Sequence, residues 1–228
     1  MSREHRFGDR RELARALAAR VADGLDAALS ARPAASLAVP GGSTPLPWFE
    51  ELRARRLPWE RVWLTLTDER WVAAEDPRSN EALVRRALLV GGAAAARFVG
   101  LKTDHDTPEA GVACCERRLA EIPRPFDAVV LGMGTDGHVA SLFPGGDGGG
   151  FATSALPRCV AVRPPGELEP RVSLTLSALV DSRHLVLLIT GDDKWSLYRR
   201  ALAQNAPLLP VHRLLERAGS RLEVYWAP

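Results

Sequence analysis

Phe126-Asp127-Ala128-Val129-Val130-Leu131-Gly132-Met133-Gly134-Thr135-Asp136-Gly137-His138-Val139-Ala140-Ser141-Leu142-Phe143-Pro144 is the stretch whose reading decides the fold. An apolar run of strand length leads into three glycines, with an aspartate and then a histidine among and after them. Apolar strand, glycine turn and polar tip is how α/β folds present reactive groups at the carboxyl end of a strand. The residues from His138 to Pro144 leave room only for a short helix of about six residues before a run of glycines.

Outward from this stretch, strands and helices alternate. On the N-terminal side, Leu13, Leu17, Val21, Leu25 and Leu29 recur every four residues and predict an amphipathic helix over 10–30. Ser36 to Val39 reads as a strand running into Pro40-Gly41-Gly42-Ser43-Thr44-Pro45, with a helix from Leu46 to about Arg55. Val62 to Thr67 reads as a strand ending in Asp68-Glu69-Arg70. Ser79 or Asn80 caps a helix through Leu89. Phe98-Val99 is a short strand, and Pro108 opens a helix to about Ile122. On the C-terminal side, Gly145 to Gly150 has few side chains to pack and is expected to be mobile. Cys159 to Val162, Val172 to Leu176 and His184 to Thr190 read as strands. Asp192 or Asp193 caps a helix from Lys194 to Ala203. A last helix, Val211 to Arg217, precedes a strand from Leu222 to Trp226. The pattern predicts an α/β fold: an open, mostly parallel, Rossmann-like sheet sandwiched between helices, with residues 1–228 as a single domain.

Composition narrows the function classes. The chain has 228 residues, 46% of them hydrophobic and 25% charged, and a formal net charge of +2. That balance argues against a nucleic-acid or membrane surface, and a small anion would need only a local positive pocket. The three cysteines show no metal-ligand spacing and fit reduced, buried thiols in a cytoplasmic protein. The charged start, Met1-Ser2-Arg3-Glu4-His5-Arg6, argues against a secretory signal. No run approaches the ~18 apolar residues of a membrane span.

Gly132, Gly134 and Gly137 satisfy G-x-G-x-x-G after a strand, which taken alone suggests a dinucleotide site. Two features argue against it. The helix after His138 is too short for a Rossmann crossover, and Val162 leads into Arg163 where an acidic residue would hold a ribose. Gly41-Gly42-Ser43-Thr44 lacks the lysine of a nucleotide P-loop, yet its amides and hydroxyls precede a helix, where a phosphate is favoured. Asp136 and His138 could form a general-base pair or merely cap a short helix. Asp68, Glu69 and Arg70 could serve a site or a charged surface. Lys194 lies in a helix first turn, where a cation is disfavoured unless an anion is near. His5, His105, His184 and His212 have no partner pattern and read as structural or solvated. No H-E-x-x-H metal motif and no G-x-S-x-G nucleophile elbow occurs.

Taken together, these segments resemble the 6-phosphogluconolactonases, in the same broad group as glucosamine-6-phosphate deaminases and ribose-5-phosphate isomerases. The resemblance is carried by Gly41 to Pro45, by Asp68-Glu69-Arg70 with Ser79-Asn80, and above all by Leu131 to Pro144. Pro170 to Leu176, including Arg171, and Gly191 to Lys194 extend it. Ala140-Ser141-Leu142-Phe143-Pro144 is similar to the lactonase version of the central segment, not to the deaminase version. Departures are Trp195 after the helix lysine, Trp71-Val72-Ala73 after the Asp-Glu-Arg segment, and the ending Trp226-Ala227-Pro228.

The resemblance implies hydrolysis of 6-phospho-D-glucono-1,5-lactone in the oxidative pentose phosphate pathway, without metal or organic cofactor. It makes His138 the general base, with Asp136 orienting it; a free imidazole titrates near pH 6.5, suited to that task (order of magnitude from model peptides). Gly41, Gly42, Ser43, Thr44, Asp68, Arg70, Arg171 and Lys194 are the expected substrate and phosphate contacts, with amides of the glycine turn facing the oxyanion. The only partner expected is the small sugar-phosphate lactone, with no nucleic acid or membrane. Monomer and homodimer stay open. The alternatives are a deaminase or isomerase using Asp68 as a carbon base, and a non-catalytic sugar-phosphate sensor.

Overall fold

The computed structural model describes residues 2–146, 149–151, 157–166, 168–203 and 209–228. Its centre is a seven-stranded sheet in which every pairing is parallel. The strands are β1 (Arg3–Arg6), β2 (Ala35–Val39), β3 (Val62–Leu66), β5 (Arg97–Val99), β6 (Phe126–Leu131), β9 (Ser182–Thr190) and β10 (Leu222–Ala227), in the order β1-β10-β9-β6-β2-β3-β5. A small antiparallel sheet, β4-β8-β7, is built from β4 (Asp68–Arg70), β7 (Cys159–Val162) and β8 (Arg171–Leu174). The helices are α1 (Arg10–Ala31), α2 (Leu46–Arg53), α3 (Asn80–Ala87), α4 (Pro108–Leu119), α5 (Leu176–Val180), α6 (Asp192–Leu202) and α7 (Pro210–Ala218). The expected α/β class with a mostly parallel sheet is therefore what the chain adopts.

All residues of β2 and β6 are buried, as expected of central strands covered by helices on both faces. The leucines and valine that predicted α1 form its buried face, and Asp9 caps the helix by accepting from the Glu12 N–H at 2.7 Å. The strand order places the site. The chain runs from β2 outward through β3 and β5, then returns to lay β6 on the other side of β2. The loops that leave β2 and β6 thus depart to opposite sides, and a crevice opens between them at the strands' carboxyl ends.

Several elements differ from the sequence-based expectation. β1 pairs with β10 in a segment of four polar residues; an edge strand needs no apolar alternation, so no pattern announced it. Asp68-Glu69-Arg70, expected as the carboxyl end of the Val62 strand, forms a separate short strand, β4, that pairs with β8. The strand expected through Leu176 stops at Leu174, where Thr175 caps α5 by accepting from the Ala178 N–H at 3.2 Å. No helix follows His138: the segment folds on itself through bridges between Met133 and Val139 and between Val139 and Leu142. Neither Asp192 nor Asp193 caps α6. Gly191, at φ 86°, takes that place, and the aspartates occupy the first turn, where the helix dipole favours them. Of the glycine run, residues 147 and 148 lie outside the described residues, and with them the mobility expected there. Cys115 and Cys159 are buried and Cys114 is half-buried, none of them in a disulfide.

Glu69 anchors the small sheet to α3. It is fully buried. Its Oε1 accepts from the backbone N–H groups of Arg70 and Asn80, both at 2.7 Å. Its Oε2 accepts from the Glu81 N–H at 2.8 Å and the Ser79 hydroxyl at 3.0 Å. All four partners donate, so the ionised carboxylate fits and an amide does not. Glu69→Gln is expected to destabilise the fold by about 2–3 kcal/mol, because an NH₂ would face N–H donors; urea unfolding of the variant beside wild type measures it.

Candidate active site

Four loops meet at the crevice. Pro40 to Pro45 follow β2, Thr67 to Arg70 follow β3, Gly132 to Ala140 follow β6, and α6 begins just after β9. They enclose a cavity of about 260 Å³. Gly41, Gly42, Ser43, Thr44, Asp68, Arg70, His138, Arg171 and Lys194, drawn from loops far apart in sequence, all line it. Asp136 does not line it but stands behind the histidine.

The loop that carries His138 is a tight turn. Gly137, at φ 84°, donates its N–H to the Gly134 carbonyl at 3.1 Å, and the Gly134 N–H donates to the His138 carbonyl at 2.9 Å. The first turn of α7 clamps it, since Val211 N–H donates to the Gly137 carbonyl at 3.0 Å. Asp136 Oδ1 accepts from the His138 backbone N–H at 3.1 Å and lies 2.6 Å from Nδ1 of the ring. That contact holds the proton on Nδ1 and leaves Nε2 as the basic nitrogen. The Phe143 ring packs on the imidazole, with centroids 4.7 Å apart. The amides of Gly134 and Gly137 are consumed inside the turn. Gly132, the first glycine of the turn, lines the cavity.

Three cationic side chains share the cavity with His138. Arg70 donates through Nη1 to the Arg78 carbonyl at 2.5 Å. Arg171 is buried beside Asp68, its Nη1 lying 3.9 Å from Asp68 Oδ2. The buried Nε atoms of Arg70 and of Arg171 have no hydrogen-bond partner among the described residues. A buried unpaired donor is costly, and both side chains also line the cavity, where guanidinium groups suit an oxyanion ligand. Lys194 is the third. Burial, and secondarily the charge of Arg10, hold its ammonium below the ordinary lysine range.

Asn80 also stands at the cavity, although the sequence marked it as a helix start and as part of the resemblance, not as a contact. Its Nδ2 donates to the Asp68 carbonyl at 2.9 Å, and it also lines the cavity. A Cβ on Gly41 would overlap the Asn80 side chain, so glycine at 41 is a packing requirement there. The signal available in the sequence was the Ser79-Asn80 pair: Ser79 takes the cap by accepting from the Ala82 N–H at 3.1 Å, which frees Asn80 for other work. The remaining histidines lie outside the cavity lining, with His184 against Arg20 at 2.9 Å and His212 against the Ala201 carbonyl at 2.9 Å.

A sequence model of the family described as glucosamine-6-phosphate isomerases/6-phosphogluconolactonase matches residues 8–226. The chain belongs to this family. It is 46% identical over 227 residues to a 6-phosphogluconolactonase of Rhizobium meliloti, covering 98% of each chain. It is 43% identical over 224 residues to one of Mesorhizobium japonicum, covering 97% of this chain and 94% of the relative. The crystal structure of a 6-phosphogluconolactonase from Shewanella baltica superposes with a TM-score of 0.95 at 39% identity, covering 100% of this chain and 98% of that one. A monomeric glucosamine-6-phosphate deaminase shares the fold, with a TM-score of 0.81 at 19% identity. No helix among the described residues is long and apolar enough to cross a membrane.

Proposed function

We propose that this chain, as one domain over residues 1–228, hydrolyses 6-phospho-D-glucono-1,5-lactone to 6-phospho-D-gluconate. The carrying observation is that one cavity joins an Asp136-oriented His138 to three cationic side chains, two of them with unpaired donors. The names of its relatives support the same substrate. On this reading the pathway is the oxidative pentose phosphate pathway, in the cytoplasm.

His138 Nε2 takes a proton from water as the oxygen attacks the lactone carbonyl, and Asp136 stabilises the imidazolium that forms. The tetrahedral oxyanion forms beside the start of the glycine turn, where Gly132 lines the cavity, while the Gly134 and Gly137 amides are committed. The ring C–O bond then breaks, the His138 imidazolium returns its proton to the departing alkoxide, and the product acid loses its own proton to solvent and leaves as the carboxylate. Arg70, Arg171 and Lys194, with Ser43, Thr44 and the Gly41-Gly42 backbone, grip the phosphate and carry the reacting carbonyl to the histidine.

Asp68 bears on the deaminase alternative. Its Oδ2 accepts from Ser141 Oγ at 2.5 Å and faces Arg171, so the carboxylate is engaged rather than free to abstract a carbon-bound proton. The deciding experiment supplies wild-type protein with the phosphorylated lactone and, separately, with glucosamine 6-phosphate. Lactone opening above the spontaneous rate, with no ammonia released, is expected. Ammonia release without lactone opening would assign the deaminase activity, and binding without either reaction would assign a sensor.

Lys194 gives the binding step a pH dependence. Its depressed pKa means that the ammonium discharges below the pH at which ordinary lysines do. A bound phosphate favours the charged form, so affinity falls as pH rises through that pKa. Calorimetric binding of 6-phosphogluconate is expected to weaken on the alkaline side in wild type. In Lys194→Arg it is expected to hold over the same interval, because a guanidinium stays protonated.

A further inference from the structure

Ser141 follows His138 by three residues and is fully buried, yet no step above uses it. Its hydroxyl donates to Asp68 Oδ2 at 2.5 Å and accepts from Arg171 Nη1 at 3.4 Å. Its backbone N–H donates to Ser173 Oγ at 3.1 Å, and that hydroxyl donates to the Leu174 carbonyl at 3.0 Å. One residue therefore joins β4, β8 and the loop that carries the histidine. Arg171 Nη1 and Asp68 Oδ2 are 3.9 Å apart, outside hydrogen-bond length, so the serine hydroxyl bridges them. The preceding residue, Ala140, has φ 51°, a left-handed backbone that non-glycine residues seldom adopt and that surrounding structure must hold in place. The contacts of Ser141 supply that hold.

The consequence falls on Arg171. Its Nη1 end is engaged by Ser141, while its Nε has no partner and its side chain lines the cavity. A guanidinium grips an oxyanion best with one planar edge presented as a fork. We propose that Ser141 is a positioning residue that holds Arg171 by its Nη1 end, so that the cavity-lining part of the guanidinium stays turned toward the anionic group of the substrate. The same serine couples that grip to the histidine loop. The inference rests on the lactone-hydrolase reading for the identity of the anion.

A double-mutant cycle of Ser141→Ala and Arg171→Gln tests it, read by calorimetric binding of 6-phosphogluconate and by kcat on the phosphorylated lactone. Ser141→Ala is expected to weaken binding on the order of ten-fold, with a smaller effect on kcat. In the Arg171→Gln background the same change is expected to add nothing, because the group it positions is gone. Equal weakening in both backgrounds, or wild-type affinity in Ser141→Ala, would overturn the proposal. Thermal unfolding of each variant reports folding, and Ser141→Cys, of similar shape but with a poor hydrogen-bonding group, repeats the cycle if the alanine variant does not fold. Binding is read without turnover, so a wild-type protein that opens no lactone counts against the hydrolase reading and leaves the cycle interpretable.

Discussion

His138→Ala is expected to lower kcat on the phosphorylated lactone by about 10²–10⁴-fold, the usual contribution of a positioned general base. The spontaneous opening of the lactone is subtracted in a pH-controlled assay. KM is expected to change little, because the groups assigned to phosphate binding lie on other loops: Arg70 on β4, Arg171 on β8 and Lys194 on α6. The fold is expected to survive, since the His138 side chain is 29% exposed and its hydrogen bonds are local. Asp136→Asn is expected to fall between wild type and His138→Ala. An amide can still meet the ring, but it no longer stabilises the imidazolium. Full activity in His138→Ala would remove the histidine from the mechanism.

Gly134→Ala is expected to reach a similar loss without touching a chemical group. A Cβ built there would collide with Cε1 and Nδ1 of the His138 ring and lie 2.6 Å from Asp136 Oδ1. The backbone of Gly134 is not in the left-handed region, so the collision, not the torsion, is the obstacle. The ring and the carboxylate cannot both stay, and misplacing a base by about 1 Å costs on the order of 10²-fold. The expected signature is a lowered kcat with KM near wild type, read in the same assay. Wild-type kcat in this variant would show that the Asp136–His138 geometry does not matter to turnover.

This reading changes what the central glycines mean. In sequence they match a dinucleotide fingerprint, and only the missing crossover helix and missing acidic residue speak against it. In the fold, Gly134 makes room for a histidine and an aspartate, and Gly137 makes the turn that presents them. The strand before them was legible because β6 is buried along its whole length and so reads as one apolar run. The loop after His138 was not. Val139, Leu142 and Phe143 are buried by a loop that doubles back on itself, and their spacing mimics one turn of helix.

The same division holds in the rest of the site. Glycine turns, hydroxyls and charges at strand ends pointed to the crevice, because a parallel sheet collects its loops there. Partner choice within the charged trio was hidden. Asp68 and Arg70 line the cavity while Glu69, between them, turns away to cap α3, an alternation that follows from their lying on a strand. Reading the three as one charged cluster at a strand end concealed it. Ser141 was legible only as part of the lactonase-like segment, since a buried serine in an apolar run resembles a small packing residue until its partners on β4 and β8 are known.

On the proposed function, base and cationic side chains serve one phosphorylated substrate. The ratio of kcat/KM for 6-phosphogluconolactone to that for unphosphorylated gluconolactone tests it most directly, both corrected for spontaneous opening. Charge-assisted contacts to a phosphate are worth about 1.5–3 kcal/mol each, so two or more predict a preference of roughly 10²-fold or greater for the phosphorylated lactone. Equal kcat/KM on the two lactones would contradict it.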